Sequence, residues 1–239
     1  LLINQIISLT MAKIKTTAIV ADIRGKLNGS VFSKNRGGAF IRTKVTPSNP
    51  QTPFQAGVRA ILGSLAQAWR SLTEAQRNAW NAAVSNFTGT DIFGDIKTPS
   101  GINLYTKLNA NLAQVGVSGL TNPPLPEGAA TLTTLSATAD ISDSELEVSA
   151  GSGNVPANNS LVIRATAPQS PGKNFLKGKY RDVRVVASGN PLTINVWSQY
   201  IARFGAPAAG QKIGIECYYV NTNTGEKSPA LSTTVVVQP

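Results

Sequence analysis

Apolar positions change their spacing twice along this chain, and each spacing predicts a different kind of structure. Between Ile14 and Val45 short β-prone runs are broken by Gly25, Asn28-Gly29 and Asn35-Arg36-Gly37-Gly38. The last cluster lies between Val31-Phe32 and Phe40-Ile41 and supplies the positive-φ positions of a hairpin turn. In the second arm Phe40, Arg42 and Lys44 point one way and Ile41, Thr43 and Val45 the other, because side chains alternate along a strand. One face is then basic and the other apolar.

The period lengthens after the extended segment Thr46-Pro47-Ser48-Asn49-Pro50. Thr52 can cap a helix with Pro53 in its first position and Gln55 reaching back from its third. Val58, Ile61, Leu62, Leu65 and Trp69 follow at helical spacing. A second capping box, Thr73 with Gln76, opens another helix, with Leu72 placed before it as a hydrophobic staple. Its apolar stripe is Ala79, Trp80, Ala83, Val84 and Phe87. Only Arg70 to Thr73 separate the two helices, too few residues for anything but a tight corner, so the helices are expected to pack together through Leu62, Leu65, Trp69, Trp80, Val84 and Phe87. Leu104, Leu108 and Leu112 predict a third helix over Gly101 to Val115, although Asn and Gln residues there lower its intrinsic propensity.

Helical stripes stop at Thr121-Asn122-Pro123-Pro124-Leu125-Pro126-Glu127-Gly128, a stiff linker composition that marks a natural domain boundary. Beyond it come seven alternating runs: Leu132 to Ala139, Glu145 to Ser149, Leu161 to Ala167, Arg181 to Val186, Leu192 to Trp197, Ile213 to Val220 and Ser232 to Val237. Their length and turn-rich spacing predict a β-sandwich. Asn221-Thr222-Asn223-Thr224-Gly225 reads as the loop joining the last two strands. Trp197 and Tyr200 fit either a binding rim or a core. The expected class is therefore α+β and multidomain. It comprises an N-terminal extension (1–13), a basic region of hairpin, extended segments and a small helical bundle (14–122), a proline-rich linker (123–129) and a C-terminal immunoglobulin-like β-sandwich (130–239).

Charge separates the halves further. Of 22 Lys and Arg residues and 12 Asp and Glu, 13 basic and 4 acidic lie before Pro123, whereas 9 and 8 follow from it. The first half can face an acidic protein surface or nucleic acid. Leu1 to Thr10 is apolar but has no basic residues before it, so neither a signal peptide nor a membrane helix is expected.

Candidate chemistry is sparse. The sequence has no His, which removes imidazole bases, the usual triads and His-containing zinc sites. Its one cysteine, Cys217, sits among Ile213, Ile215 and Tyr219 and reads as a core thiol. Asp91 and Asp95 can meet on a turn, and Asp140, Asp143, Glu145 and Glu147 form an acidic cluster without the spacing of a calcium loop. Surface turn chemistry accounts for both. The glycines near Gly25 to Gly38 match neither phosphate-binding pattern. No catalytic residue, cofactor or metal is expected.

One further signal lies in longer runs: Gly25-Lys26-Leu27-Asn28-Gly29-Ser30-Val31-Phe32, Arg42-Thr43-Lys44-Val45-Thr46-Pro47, Asn49-Pro50-Gln51-Thr52-Pro53-Phe54-Gln55 and Trp69 to Asn81. With Asn35-Arg36-Gly37-Gly38 they resemble a family of small structural proteins of phages and prophages of Bacteroidetes-type hosts. The C-terminal half resembles a fibronectin type III or other immunoglobulin-like module. The first resemblance implies a virion setting but brings no activity to any residue. The expected function is a non-enzymatic virion component that decorates or braces the capsid surface, with a neck or tail position as the alternative. Its partners would be other virion proteins, the major capsid protein among them, in symmetric copies and without a membrane. Val31, Phe32, Arg36, Phe40, Ile41, Arg42, Lys44 and Val45 are the candidate contact residues. Eleven cations between Ala12 and Arg77 keep non-specific nucleic-acid binding open as a third reading. The helix from Thr73 offers only Arg77 to read a base or phosphate, and Trp69 and Trp80 at helical spacing read as packing residues, not stacking platforms.

Overall fold

The computed structural model describes residues 11–14, 22–35, 38–46, 49 and 51–239. In chain order the elements are β1 (Met11–Ile14), β2 (Gly25–Leu27), β3 (Ser30–Asn35), β4 (Gly38–Thr43), α1 (Pro53–Ser71), α2 (Glu74–Ala83), a 3₁₀ turn (Val84–Phe87), β5 (Gly89–Thr90), β6 (Ile96–Lys97) and α3 (Gly101–Gln114). They continue with β7 (Ser136–Asp140), β8 (Glu145–Asn154), β9 (Asn159–Ala165), β10 (Arg181–Val186), β11 (Pro191–Asn195), α4 (Trp197–Phe204), β12 (Lys212–Asn221) and β13 (Leu231–Val236). Helices and antiparallel sheets in separate stretches make the chain an α+β protein.

Two compact units emerge, one from 1–58 with 88–98 and the other from 59–87 with 99–239. The proline-rich stretch expected to separate domains therefore lies inside the second unit, because α2 and α3 share that unit with β7–β13.

The first unit holds a four-stranded antiparallel sheet in the order β1-β4-β3-β2. The expected hairpin is β3–β4, closing on the pair Asn35 and Gly38, with Gly38 at φ 104. A second hairpin, β2–β3, turns at Asn28, one of the residue types that tolerates its φ of 49. Met11 to Lys13, expected in an extension, instead pair with Arg42 to Phe40 along β4. Residues 89–97 form the small β5–β6 hairpin, which the sequence reading missed.

In the second unit Thr73 accepts from the Gln76 amide while the Gln76 side chain accepts from Thr73 N–H, the complete capping box expected there. At α1 only half forms. Thr52 Oγ1 accepts from Gln55 N–H at 3.3 Å, whereas Gln55 Oε1 is buried without a hydrogen-bond partner. Leu72, Trp80, Leu104, Tyr105 and Leu108 make the helical core. Trp80 is fully buried, donates its indole N–H to Thr121 O at 2.9 Å and meets the Tyr105 ring edge-on at 5.3 Å. Gly101 lets α3 approach α2, since an added Cβ there would lie 2.3 Å from Asn81 Oδ1.

Each of the seven expected β runs contains a strand, although in the first, Leu132 to Ala139, it begins only at Ser136. β10-β9-β12-β13 and β11-β8-β7 form two antiparallel sheets whose facing side chains share one core. Leu161, Ile163, Ile213 and Ile215 meet Leu146 and Val148 there. Trp197 does not end a strand as expected but begins α4, with Asn195 Oδ1 accepting from its N–H at 2.9 Å. That helix carries Tyr200 into the core, where Tyr200 Oη donates to Thr166 O at 3.1 Å and the ring is fully buried. Tyr200 is therefore core and not rim.

α3 lies on the opposite face of the larger sheet. Val115 packs on Val162, Tyr218 and Val220, and Gln114 Nε2 reaches Asp182 and Tyr218, each at 2.8 Å. Gly225, at φ 75 in the loop after β12, permits the remaining contact, because an added Cβ would lie 2.4 Å from Leu108 O. Asn109, one of the residues that weakened the helical signal, is 1% exposed and bonds Tyr105 O and both backbone groups of Leu120. Its polarity holds the turn after α3.

Candidate interaction site

The register of the first sheet sorts its side chains without ambiguity. Phe40 stands opposite Lys13 and Ser33, and Arg42 opposite Val31, which in turn faces Lys26. One surface thus gathers Lys13, Lys26 and Arg42 around Phe40 and Val31. On the other, Ile41 stands opposite Phe32, Ala39 opposite Ile14, and Leu27 opposite Ser30. That surface is mainly apolar, with Lys34 toward its end.

Of the expected contact residues, Val31, Phe32, Phe40, Ile41, Arg42 and Val45 are half-buried and Lys44 is exposed. Arg36 lies outside the described residues. No described residue of the first unit is fully buried, although it carries many β-prone apolar side chains. Leu27, Ile92 and Ile96 are 70%, 75% and 79% exposed. A four-stranded sheet normally gains its stability from a second layer on at least one face. The two outer strands, β1 and β2, also present backbone edges of the kind that pair with another chain.

Of the expected helix-packing residues, Leu65, Trp69, Trp80, Val84 and Phe87 all belong to the helical core, while Leu62 is 48% exposed. α2 packs mainly on α3, and α1 contributes only Leu65, Ala68 and Trp69 to that core. The expected close pairing of α1 with α2 is replaced by this arrangement, for which α3 supplies the larger apolar face.

The carboxylates considered for chemistry have local duties. Asp91 binds the Lys13 ammonium and accepts from the backbone N–H of Phe93 and Asp95. The Lys13 hydrogen bond, with those two amides, holds its carboxyl below the ordinary range against the opposing effect of burial. Asp140 accepts from Ser142 and from the Asp143 amide, closing the β7–β8 turn, and its pKa falls for that reason. Glu145 is pushed up by desolvation and by its acidic neighbours. No group of three or more candidate metal-binding side chains occurs among the described residues. Burial pushes the Cys217 thiol up to about 12, as a core position demands. Among the described residues no helix is long and apolar enough to cross a membrane.

Neither protein-family models nor curated proteins give a match to this chain.

Proposed function

We propose that this chain is a non-enzymatic structural component of a phage particle, fixed to a neighbouring polypeptide by the sheet β1–β4 and presenting an immunoglobulin-like β-sandwich built from β7–β13. One observation carries the reading: the described part of the first unit combines apolar strands, a cationic face and two open edges with no fully buried residue. Such a sheet gains most from a partner that covers it and continues its hydrogen bonding. The sequence resemblance supplies the virion setting, and the absence of His from the sequence supports a role without acid–base catalysis. Decoration or bracing of the capsid surface is favoured over the neck or tail because a small module without catalytic groups suits repeated placement. Electron microscopy of intact particles tests this directly. The expected result is a symmetry-related position where residues 25–45 lie along another polypeptide. Its absence from purified particles would overturn the reading.

A nucleic-acid contact has its own supporting observation, the grouping of Lys13, Lys26 and Arg42 on one face. It predicts oligonucleotide binding that falls steeply with salt and without sequence preference. Lys13 is already neutralised by Asp91, so the protein-contact reading is preferred.

A further inference from the structure

The loop between β9 and β10, residues 166–180, contains no carboxylate and carries Lys173, Lys177 and Lys179 around one exposed aromatic residue, Phe175, its second aromatic, Tyr180, being buried. It is firmly seated. Leu176 and Tyr180 lie down on Gly214 of β12, where an added Cβ would come within 2.6 Å of the first and 3.2 Å of the second. Gln169 and Lys212 exchange backbone hydrogen bonds, each 2.9 Å, and Lys212 Nζ donates to Asn174 Oδ1 at 3.1 Å. Because Leu176 takes the buried place at 4% exposure, its neighbour Phe175 is turned outward and remains 73% exposed. A large apolar ring held in water on an anchored loop marks a contact surface.

Beside this ring the outer face of the sheet forms a groove of about 830 Å³, a size suited to a few sugar-sized units. Arg164 and Glu216 cross its floor as an ion pair at 2.5 Å, and Ser232 and Thr234 line it from β13. Arg164 also donates to Tyr180 O at 3.0 Å, and its Nε sits 3.2 Å from Asp182, an ion pair without hydrogen-bond geometry. The floor is therefore polar but close to neutral, while the wall carries Lys177, with Lys173 and Lys179 on the same loop beyond the groove lining. Lys173 stands near enough to Lys179 to hold that ammonium below its ordinary value, and among the described residues no carboxylate pairs with either.

We propose that this groove and its lysine-bearing wall bind an acidic glycan. A sugar ring stacks on Phe175, its hydroxyls meet Ser232, Thr234 and Glu216, and its sulfate, phosphate or carboxylate groups sit on Lys173, Lys177 and Lys179. Nucleic acid could use the lysines, but the Glu216 carboxylate in the floor opposes a phosphate backbone and suits a hydroxyl donor. The site lies wholly within the second unit and stands independently of any particle role.

Equilibrium binding of the full chain to four probes decides it: heparin oligosaccharide, polygalacturonate, neutral dextran and a dT oligonucleotide. The two acidic glycans should bind and dextran should not. Phe175→Ala should weaken glycan binding roughly tenfold, the upper range for one stacked aromatic. Lys177→Gln with Lys179→Gln should weaken it further and flatten its salt dependence. Phe175 and Lys177 are exposed, while Lys179 is half-buried and donates to Gln169 Oε1 at 3.3 Å, so an unchanged melting temperature of each variant verifies folding. Lys26→Gln with Arg42→Gln, on the other unit, should leave glycan affinity unaltered. Failure to bind either acidic glycan would overturn the proposal, as would binding that ignores Phe175 and the loop lysines or depends on Lys26 and Arg42 instead. Tighter binding of the dT probe, lost in Phe175→Ala, would assign the groove to single-stranded nucleic acid and equally defeat it.

Discussion

The two units differ most in where their apolar side chains end up. In the second, leucines, isoleucines and aromatics meet across α2, α3 and the two sheets, and many are wholly removed from water. In the first, strands of comparable β character leave Phe32, Phe40 and Ile41 only half-buried and Leu27 largely exposed. A strand sequence is sufficient for sheet formation, but only a second packed layer turns its apolar face into a core. The difference teaches that stability resides in one unit and unsatisfied contact surface in the other.

The most severe test of this contrast is Trp80→Ala, which removes a fully buried ring, its bond to Thr121 O and its contact with Tyr105. A loss of about 3–5 kcal/mol is expected in denaturant unfolding. Phe40→Ala in the first unit should cost less than about 1 kcal/mol by the same measurement, because the ring is only partly covered. Equal losses would erase the distinction drawn between the units.

Gly225→Ala comes next. The new Cβ would meet Leu108 O at 2.4 Å and must also adopt φ 75, so about 2–3 kcal/mol should be lost and the loop after β12 should lift from α3. Hydrogen exchange at Gln114 and Tyr218 would report that lifting; unaltered protection would show that the loop can adjust. Asn109→Ala should cost about 1–3 kcal/mol, since the Leu120 amide and carbonyl lose their partner in a buried turn.

The smallest effect concerns the first unit and pH. Asp91 has a folded pKa below its ordinary 3.8, so its contribution is fully present above that value and disappears as pH falls through the lower folded value. Protection factors at the Phe93 and Asp95 amides, corrected for intrinsic exchange, should therefore be flat from neutral pH to about pH 5 and fall only in stronger acid. Asp91→Asn should lower that protection above about pH 5 and change little in strong acid, where the wild-type carboxyl is itself protonated. A transition near neutrality would point to another group.

Much of this architecture was legible locally. The capping box at Thr73 and Gln76 is a contact between neighbours in sequence, and the apolar runs Leu161 to Ala167 and Ile213 to Val220 mark two strands that are buried on both faces. The face assignment of Phe40, Arg42, Ile41 and Thr43 needed nothing more than the pleat. The candidate groove was illegible for the opposite reason. Phe175 reads as an ordinary apolar residue, and only the packing of Leu176 on Gly214 turns it outward. Lys173 and Lys179 are close in sequence, but their setting against Arg164, Glu216 and Ser232 joins three separate strands and a loop.

By itself, then, the sequence determined α1 to α3, most of the longer strands, the cap at Thr73 and the uneven distribution of charge, though not β1, the β5–β6 hairpin or α4, because each of the former follows from chain periodicity and near-neighbour hydrogen bonds. Tertiary structure alone decided that the proline-rich segment lies within a compact unit, that Leu62 stays exposed while Leu65 packs, that Tyr200 enters the core and that Asn109 closes a turn. Those outcomes depend on which faces compete for the same buried space, a competition among residues tens of positions apart that no local pattern records.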